Sequence, residues 1–277
     1  MRSTERFSGR SKTYSRHRPS YPPQLIAYLK LNVGWSGHER LADIGAGTGI
    51  FTDLLLEQGY NVVAVEPNND MRQELLARLG QQYNADEQSN EPKSNKQEHN
   101  EPKHNERGQL TVVAGAAEAT GLAAASVDGI VCAQSFHWFD AELARTEFAR
   151  VLVPQGKVAL LWNQRDLEAS PFMKAYDALF MKYGEQYSQV KHKQMSVLTL
   201  APFYGGKQPT LASFAYEQRL DLDGLLGRIF SSSFSLTEQD SRYDAFIRDI
   251  HELIARYEQA GEVMMIYRTD VYWGSLN

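Results

Sequence analysis

Cysteine is almost missing from this chain: among 277 residues there is one, Cys132. A single thiol excludes an internal disulfide, and a chain of this length buries enough surface to do without one, so a reducing cytoplasm is the expected setting. The apolar context of that thiol, GIVCAQ, marks Cys132 as a buried strand residue rather than a nucleophile. No apolar run reaches the roughly 18 residues that a membrane-spanning helix needs, so no membrane association is expected. Positive charge is not in excess either. Twenty-nine Lys and Arg stand against 34 Asp and Glu, a formal net charge of -5, and the broad basic face of a nucleic-acid binder is not expected. His99 and His104 have no cysteine near them and sit in a polar tract, so no metal site is expected.

What is present begins with a cationic N-terminus, Arg2, Arg6, Arg10, Lys12, Arg16 and Arg18 against Glu5 alone. Arg-rich, Ser-containing composition also marks organellar transit peptides. Here the apolar side chains are too few to give an amphipathic helix a greasy face, and an arm over residues 1–20 folded across the protein body is the preferred reading. A second compositional break covers residues 81–109, QQYNADEQSNEPKSNKQEHNEPKHNERGQ, which repeats NEPK and has almost no apolar side chain. Such a tract cannot bury enough surface to offset its ordering entropy, so it is expected to be a solvated insertion.

Between and after these segments the hydrophobic period alternates. YPPQLIAYLKLNVG reads as a helix opened by proline and closed at Gly34, with Leu25, Ile26 and Leu29 in one stripe. RLADIGA, NVVAVEP, QLTVVAGAAE, DGIVCAQS and GKVALLWN read as strands, separated by helical segments that carry Phe51, Leu54 and Leu55, then NNDMRQELLARLG, then DAELARTEFARVL opened by Asp140. This alternation predicts an α/β fold with a mostly parallel sheet and helices on both faces. Beyond about residue 163 come two helical stripes, Phe172, Tyr176, Leu179, Phe180, Tyr183 and Phe246, Ile250, Leu253, Ile254, Tyr257, which read as core. FAYEQRLDL (Phe214, Tyr216, Leu220, Leu222) and VMMIYRTDVYW add two strands, making seven, with the last two an antiparallel hairpin at the sheet edge and the helices a small cap. The expected organisation is therefore an arm (1–20), a core (21–162, interrupted by 81–109), and a cap with the last two strands (163–277).

The chemistry should lie at LADIGAGTGIF, residues 41–51, where Gly45, Gly47 and Gly49 follow Asp43 at the end of the first strand. Ligands of open α/β sheets sit beyond the carboxyl ends of the strands. A triphosphate cradle needs lysine followed by Ser or Thr at the end of the loop, and Ile50 and Phe51 stand there instead. A dinucleotide turn wants a third small residue at position 50; the branched Ile50 weakens that reading without removing it. A second acid, Glu66, ends the next strand, where its two oxygens can accept from both hydroxyls of a ribose. Asp43 can accept from an ammonium group. The ligand implied has an amino-acid end and an unphosphorylated ribose.

At this point the residues resemble the class I S-adenosylmethionine-dependent methyltransferases, in particular the type 11 subgroup that includes trans-aconitate methyltransferase-like relatives. RFSGRSKTYSRHRPSYPPQLI is similar to the arm these enzymes fold over the cofactor, LADIGAGTG to their glycine motif, VVAVEPNNDM to their ribose-binding strand end, GAAEATGL to their adenine-side loop, and VDGIVCAQSFHWFD to their fourth-strand motif. FSSSF and YRTDVYWG resemble the subgroup's C-terminal half. PQG, where the family often has two glycines, and the long 81–109 insertion depart from the pattern. The resemblance implies a Rossmann-like fold and S-adenosyl-L-methionine as cofactor, held by Tyr14, Arg18, Asp43, Gly45, Ala46, Gly47, Glu66, Pro67, Ala117, Glu118 and Gln134. Tyr21, Trp138 and Trp162 would line the substrate side. The implied partner is a small molecule, with no nucleic acid, no membrane and no metal, acted on by a monomer or homodimer.

Methyl transfer is an in-line displacement, so the protein's task is positioning and exclusion of water. Tyr14, Tyr21 and Trp138 are candidates for an aromatic wall facing the sulfonium charge. His137 has two readings, a general base for an alcohol, phenol or amine, or a residue that orients substrate and packs on Trp138. Arg18 has three: the cofactor carboxylate, an anionic substrate, or a surface anchor for the arm. A cofactor-binding regulatory protein without turnover and an NAD(P)-dependent oxidoreductase are the alternatives, and no residue identifies the methyl acceptor.

Overall fold

A computed structural model describes residues 15, 17–83, 85, 87–88, 108–184, 187, 195–232 and 235–276. Helix α1 (Pro23–Tyr28) has proline at its start, where no N–H is needed, and runs into a π-helical turn, Leu29–Val33, that Gly34 ends with φ of 85°. The core then alternates as the hydrophobic period predicts. Strand β1 is Arg40–Ile44, α2 Ile50–Glu57, β2 Asn61–Val65, and α3 Asn69–Leu75, whose N-terminus Asn68 caps by accepting from Met71 N. After a two-residue β3 (Glu87–Gln88) come β4 (Leu110–Val113), β5 (Val127–Ala133), α4 (Ala141–Val151) and β6 (Leu152–Arg165).

The remainder is α5 (Pro171–Tyr183), α6 (Val197–Leu200), β7 (Thr210–Leu220), α7 (Leu222–Phe230), α8 (Tyr243–Tyr257) and β8 (Val263–Gly274). One sheet holds all the strands in the order β3-β4-β2-β1-β5-β6-β8-β7. Pairing is parallel from β3 through β6, and β8 is antiparallel to both β6 and β7. The seven expected strands are present, with the C-terminal hairpin at the edge.

Three sequence expectations change. Glu87–Gln88, inside the tract read as solvated, pairs with Val112 and Val113 as an eighth strand. The open edge of β4 offers backbone hydrogen bonds that need no apolar side chain. Leu222, read as the end of a strand, opens α7 instead, because Asp221 accepts from Gly224 N and caps a helix there. The QLTVVAGAAE strand stops at Val113, before a tight bridge between Ala116 and Ala119.

Period-2 alternation sorts side chains onto two apolar layers. Leu41, Val62, Ala64 and Val131 face α1 and α2, with Leu25, Phe51 and Leu55. Ala42, Ile44, Val63, Ile130 and Cys132 face α4, with Phe148 and Phe203. Asp43, at the same parity as Leu41, is thereby turned toward α2. A third cluster joins α5, α7 and α8 to Met265 and Tyr267 of β8. Within this last layer lie the two aromatic stripes, as core. Cys132 is buried and unpaired, and burial raises its thiol well above the ordinary range, so it stays protonated.

Residues 84, 86 and 89–107 of the polar tract lie outside the described residues. Replacing 89–107 with a short Gly-Ser link is expected to move the melting temperature by less than about 2 °C, because loop-closure entropy changes slowly with length. A fall of more than about 5 °C in calorimetric melting would show that the segment contributes packing.

Candidate functional site

The turn after β1 is built by backbone bonds to β2: Gly45 N and Ala46 N both donate to Val65 O, at 2.8 and 3.2 Å. Its three glycines serve different ends. A Cβ on Gly45 would stand 2.5 Å from Ser135 Cβ, and one on Gly49 would stand 2.9 Å from Leu75 Cγ. These two allow close approach of β5 and of α3. Gly47, with φ of 58°, would have nothing within 4 Å of its Cβ. The outer glycines therefore serve packing, and the middle one leaves room on the open side of the turn.

Glu66, at the end of β2, is 7% exposed and spans this turn. Its Oε2 accepts from Gly47 N at 2.9 Å and its Oε1 from Asn68 N at 2.9 Å. Burial pushes its pKa up, and the two backbone donors and Arg72 oppose that shift. Arg72 Nη1 donates to the carbonyls of Glu66 and of the exposed Pro67, which fixes the strand end. Each Glu66 oxygen keeps a further lone pair for a second donor.

Asp43 is 1% exposed. Its Oδ2 accepts from Thr52 Oγ1 at 2.7 Å, while its Oδ1 has no hydrogen-bond partner among the described residues. Burial pushes the pKa up to about 7; the Thr52 hydroxyl opposes the shift and the neighbouring Glu66 adds to it. Two buried acids, one with an unused oxygen, flank the turn that Gly47 leaves open. This donor set fits a ligand that brings hydroxyls to Glu66 and a cation to Asp43.

The other predicted residues divide. Ala117 is buried in the apolar layer beneath α4. Glu118 Oε1 accepts from Asp140 N at 2.8 Å, next to the carboxylate that caps α4. Gln134 has φ of 60° and its Nε2 donates to Asn163 O at 3.2 Å. His137 and Trp138 share a 3-10 turn, Phe136–Trp138, with ring centroids 4.8 Å apart. Trp162 Nε1 donates to His137 Nδ1 over a long 3.5 Å.

Tyr21 is buried with its ring edge-on to Phe51 at 4.9 Å. Tyr14 lies outside the described residues. Arg18 Nη2 donates to Ser231 O at 2.8 Å, which ties the arm to the end of α7. Sequence reasoning did not find the arm's other anchors. Ser15 Oγ donates to Glu74 Oε1 on α3, Asn163 Nδ2 to Ser20 O, and Gln218 Nε2 to His17 O. It also missed Thr52, Arg72 and Ser135, whose Oγ donates to Ile44 O. These are single polar residues with no motif around them, and their partners are distant in sequence. Among the described residues no His/Cys/Asp/Glu group could hold a metal, and no helix is long and apolar enough to cross a membrane.

Comparison with known proteins converges on one family. The profile of the methyltransferase domain matches residues 42–160, from the strand before the glycine turn through β6. An uncharacterized methyltransferase of Mycobacterium tuberculosis is 36% identical over 160 residues, 58% of this chain and 53% of that protein, so the chain spans about half the length of that curated relative. Among solved structures, an Anaeromyxobacter dehalogenans protein assigned as a type II methyltransferase superposes with a TM-score of 0.57 at 19% identity, covering 94% of this chain and 98% of the other. Phosphoethanolamine N-methyltransferase 2 of Haemonchus contortus, in complex with S-adenosyl-L-methionine, superposes with a TM-score of 0.51 at 15% identity, covering 99% of this chain and 60% of that one. Both superpositions carry the fold.

The three glycines are separable by measurement. Gly45→Ala and Gly49→Ala should each lower stability by about 1–3 kcal/mol in urea unfolding, through overpacking at a strained φ. Gly47→Ala should cost about 1 kcal/mol, from φ alone, and Gly47→Arg should abolish ligand binding at the turn without unfolding the sheet. Equal losses for Gly45→Ala and Gly47→Ala would contradict the packing described.

Proposed function

We propose that this chain, whose residues 42–160 match the methyltransferase domain, is a class I S-adenosylmethionine-dependent methyltransferase that transfers the methyl group of its cofactor to a small-molecule acceptor. The observation that supports this best is the open turn at Gly47 between two buried acids, Glu66 bonded to the Gly47 N–H and Asp43 with an unused oxygen. Glu66 receives the two ribose hydroxyls on its remaining lone pairs. Asp43 Oδ1 receives the ammonium of the methionine end. The cofactor supplies an electrophilic methyl on a sulfonium, whose charge disappears as the methyl leaves. Ala117 and Glu118 border the adenine, and Glu118 is pinned by the Asp140 N–H rather than by the base.

The rest of the chain's contribution is positioning. Gln134 and Asn163 join the ends of β5 and β6, and Asn163 holds the arm at Ser20. The arm in turn reaches α7 through Arg18, which favours the anchoring reading of that residue, and it shields the strand ends from water. Of its two readings, His137 takes the orienting one, because the Trp162 N–H is directed at its Nδ1 and its ring lies beside Trp138. Trp138 and Trp162 flank that imidazole. In this scheme the arm, described at Ser15 and from His17 to Ser20, is the cover, 21–162 the cofactor half, and the segment from 163 onward the acceptor half.

Calorimetry should find S-adenosylhomocysteine bound with a Kd on the order of micromolar, about -8 kcal/mol. Glu66→Gln exchanges one acceptor for a donor and should weaken binding roughly tenfold to a hundredfold, as expected for a charge-assisted bond of about 1.5–3 kcal/mol. Glu118→Gln keeps the oxygen that Asp140 N uses and should cost less. A larger loss for Glu118→Gln would exchange the ribose and adenine ends; binding of NADH in place of either sulfur nucleoside would select an oxidoreductase.

A pH series tests Asp43. Its ordinary pKa is 3.8 and its folded value about 7. Between these values the unliganded native state holds more protons than the unfolded chain, so this group's contribution to stability falls as pH rises through that window and is level above it. Ammonium binding needs the carboxylate, so S-adenosylhomocysteine affinity should rise from pH 6 to pH 8 by up to about tenfold. Asp43→Asn should bind more weakly and show no such rise. An unchanged pH profile in that variant would remove the ammonium from Asp43.

A further inference from the structure

Strand β6 outruns its parallel partner. Its pairing with β5 stops at Leu161, whereas its pairing with β8 continues to Arg165, opposite Tyr267. Arg165 therefore stands past the carboxyl end of the parallel sheet, on the same end of the strands as the glycine turn. It also shares the face and register of Asn163, which holds the arm at Ser20. Its guanidinium lies among three rings of the cap, with Cζ 5.5 Å from the centroid of Tyr176, 5.8 Å from Phe180 and 5.4 Å from Tyr187. Nη2 donates to Tyr187 OH at 3.0 Å, and that hydroxyl donates to Asp177. Burial raises the pKa of this phenol well above its ordinary value and holds it neutral, so it acts as a spacer that sets the plane of the guanidinium.

Two donors in this cage are unused. Among the described residues, Arg165 Nη1 and the hydroxyl of Tyr176, a side chain with no exposed surface, are buried without a hydrogen-bond partner. A buried donor left unpaired is costly, more so on a charged group, and such atoms are few in native proteins. A second guanidinium is near: Arg228, 5% exposed, donates from Nε to the hydroxyl of Tyr267, the residue directly across from Arg165. Two unused donors, one of them on a guanidinium, and apolar ring faces complement an acceptor-only anionic group. A carboxylate has two oxygens for two donors and a planar shape that stacks among rings; a phosphate would leave further oxygens without donors.

We propose that Arg165 and Tyr176 form a carboxylate-binding site in the cap that anchors the methyl acceptor. The inference rests on the methyltransferase reading above. The anchored carboxylate is a handle and not the atom methylated, since both its oxygens are engaged by donors and their lone pairs are poor nucleophiles. The acceptor class is accordingly a small organic acid with its methylated group elsewhere in the molecule.

The test uses the full chain saturated with S-adenosylhomocysteine, titrated calorimetrically at constant ionic strength with sodium benzoate, sodium succinate, sodium phosphate and benzamide. Benzoate or succinate should bind at least about tenfold more tightly than benzamide or phosphate. Arg165→Lys, which keeps the charge but loses the fork, and Tyr176→Phe, which keeps the ring, should each weaken the carboxylate roughly three- to tenfold, with S-adenosylhomocysteine affinity within about twofold of wild type. Tyr176→Phe removes an unpaired buried hydroxyl, so the unliganded variant should melt about 1–3 °C higher, which also shows that it folds. Benzoate and benzamide binding equally, no carboxylate binding at all, phosphate binding best, or variants that bind carboxylate as wild type does would each overturn the site. Failure of the wild type to bind S-adenosylhomocysteine would instead overturn the methyltransferase reading.

Discussion

The bond from Gly47 N to Glu66 is the contact on which the site depends. It joins the turn after β1 to the end of β2, and the same carboxylate takes Asn68 N, so one buried side chain sets both strand ends and the entry to α3. With the turn held there, Gly45 meets Ser135 and Gly49 meets Leu75, which brings β5 and α3 against it. Removing the acceptor would leave two backbone donors unpaired in a buried place, at about 1–3 kcal/mol each.

That arrangement sets two acids in one desolvated region. Burial raises both, and the charge of Glu66 adds to the shift at Asp43. A fold selected for stability alone would replace Asp43 with a neutral residue, because a buried carboxyl with an unused oxygen destabilises the unliganded chain. Its place beside an open turn is what supports the proposal of a cationic ligand there.

The cap adds a second polar system to the same end of the sheet. Antiparallel pairing of β6 with β8 carries Asn163 and Arg165 beyond the parallel strands, where the arm meets Asn163 and α5 meets Arg165. Core and cap thus share one strand: β6 up to Leu161 pairs within the parallel core, and the residues after it pair with β8 alone.

Elements with a strong local signal were legible in the sequence. The parallel core followed from alternating periods of 2 and 3.6, α4 from Asp140, α5 from Ser170 and Pro171, and the turn from three glycines at every second place. That Glu66 ends β2 was legible because a strand end is a local feature, whereas its bonds to Gly47 N and Asn68 N were not. Where local signals were absent, reading failed: the eighth strand is two polar residues, and Leu222 kept strand parity by coincidence until Asp221 capped a helix. The partners of Thr52, Ser135, Asn163 and Arg165 had no signature either, since a lone polar residue says nothing of what it will meet. Periodicity, caps and glycine spacing act within a few residues of chain, and so the sequence by itself determined the layers and the cofactor turn. Which side chains converge across β1, β5, β6 and the cap depends on register and on crossovers spanning a hundred residues, as in Ser135 reaching Ile44 or Arg165 lying opposite Tyr267; only the tertiary structure decided that.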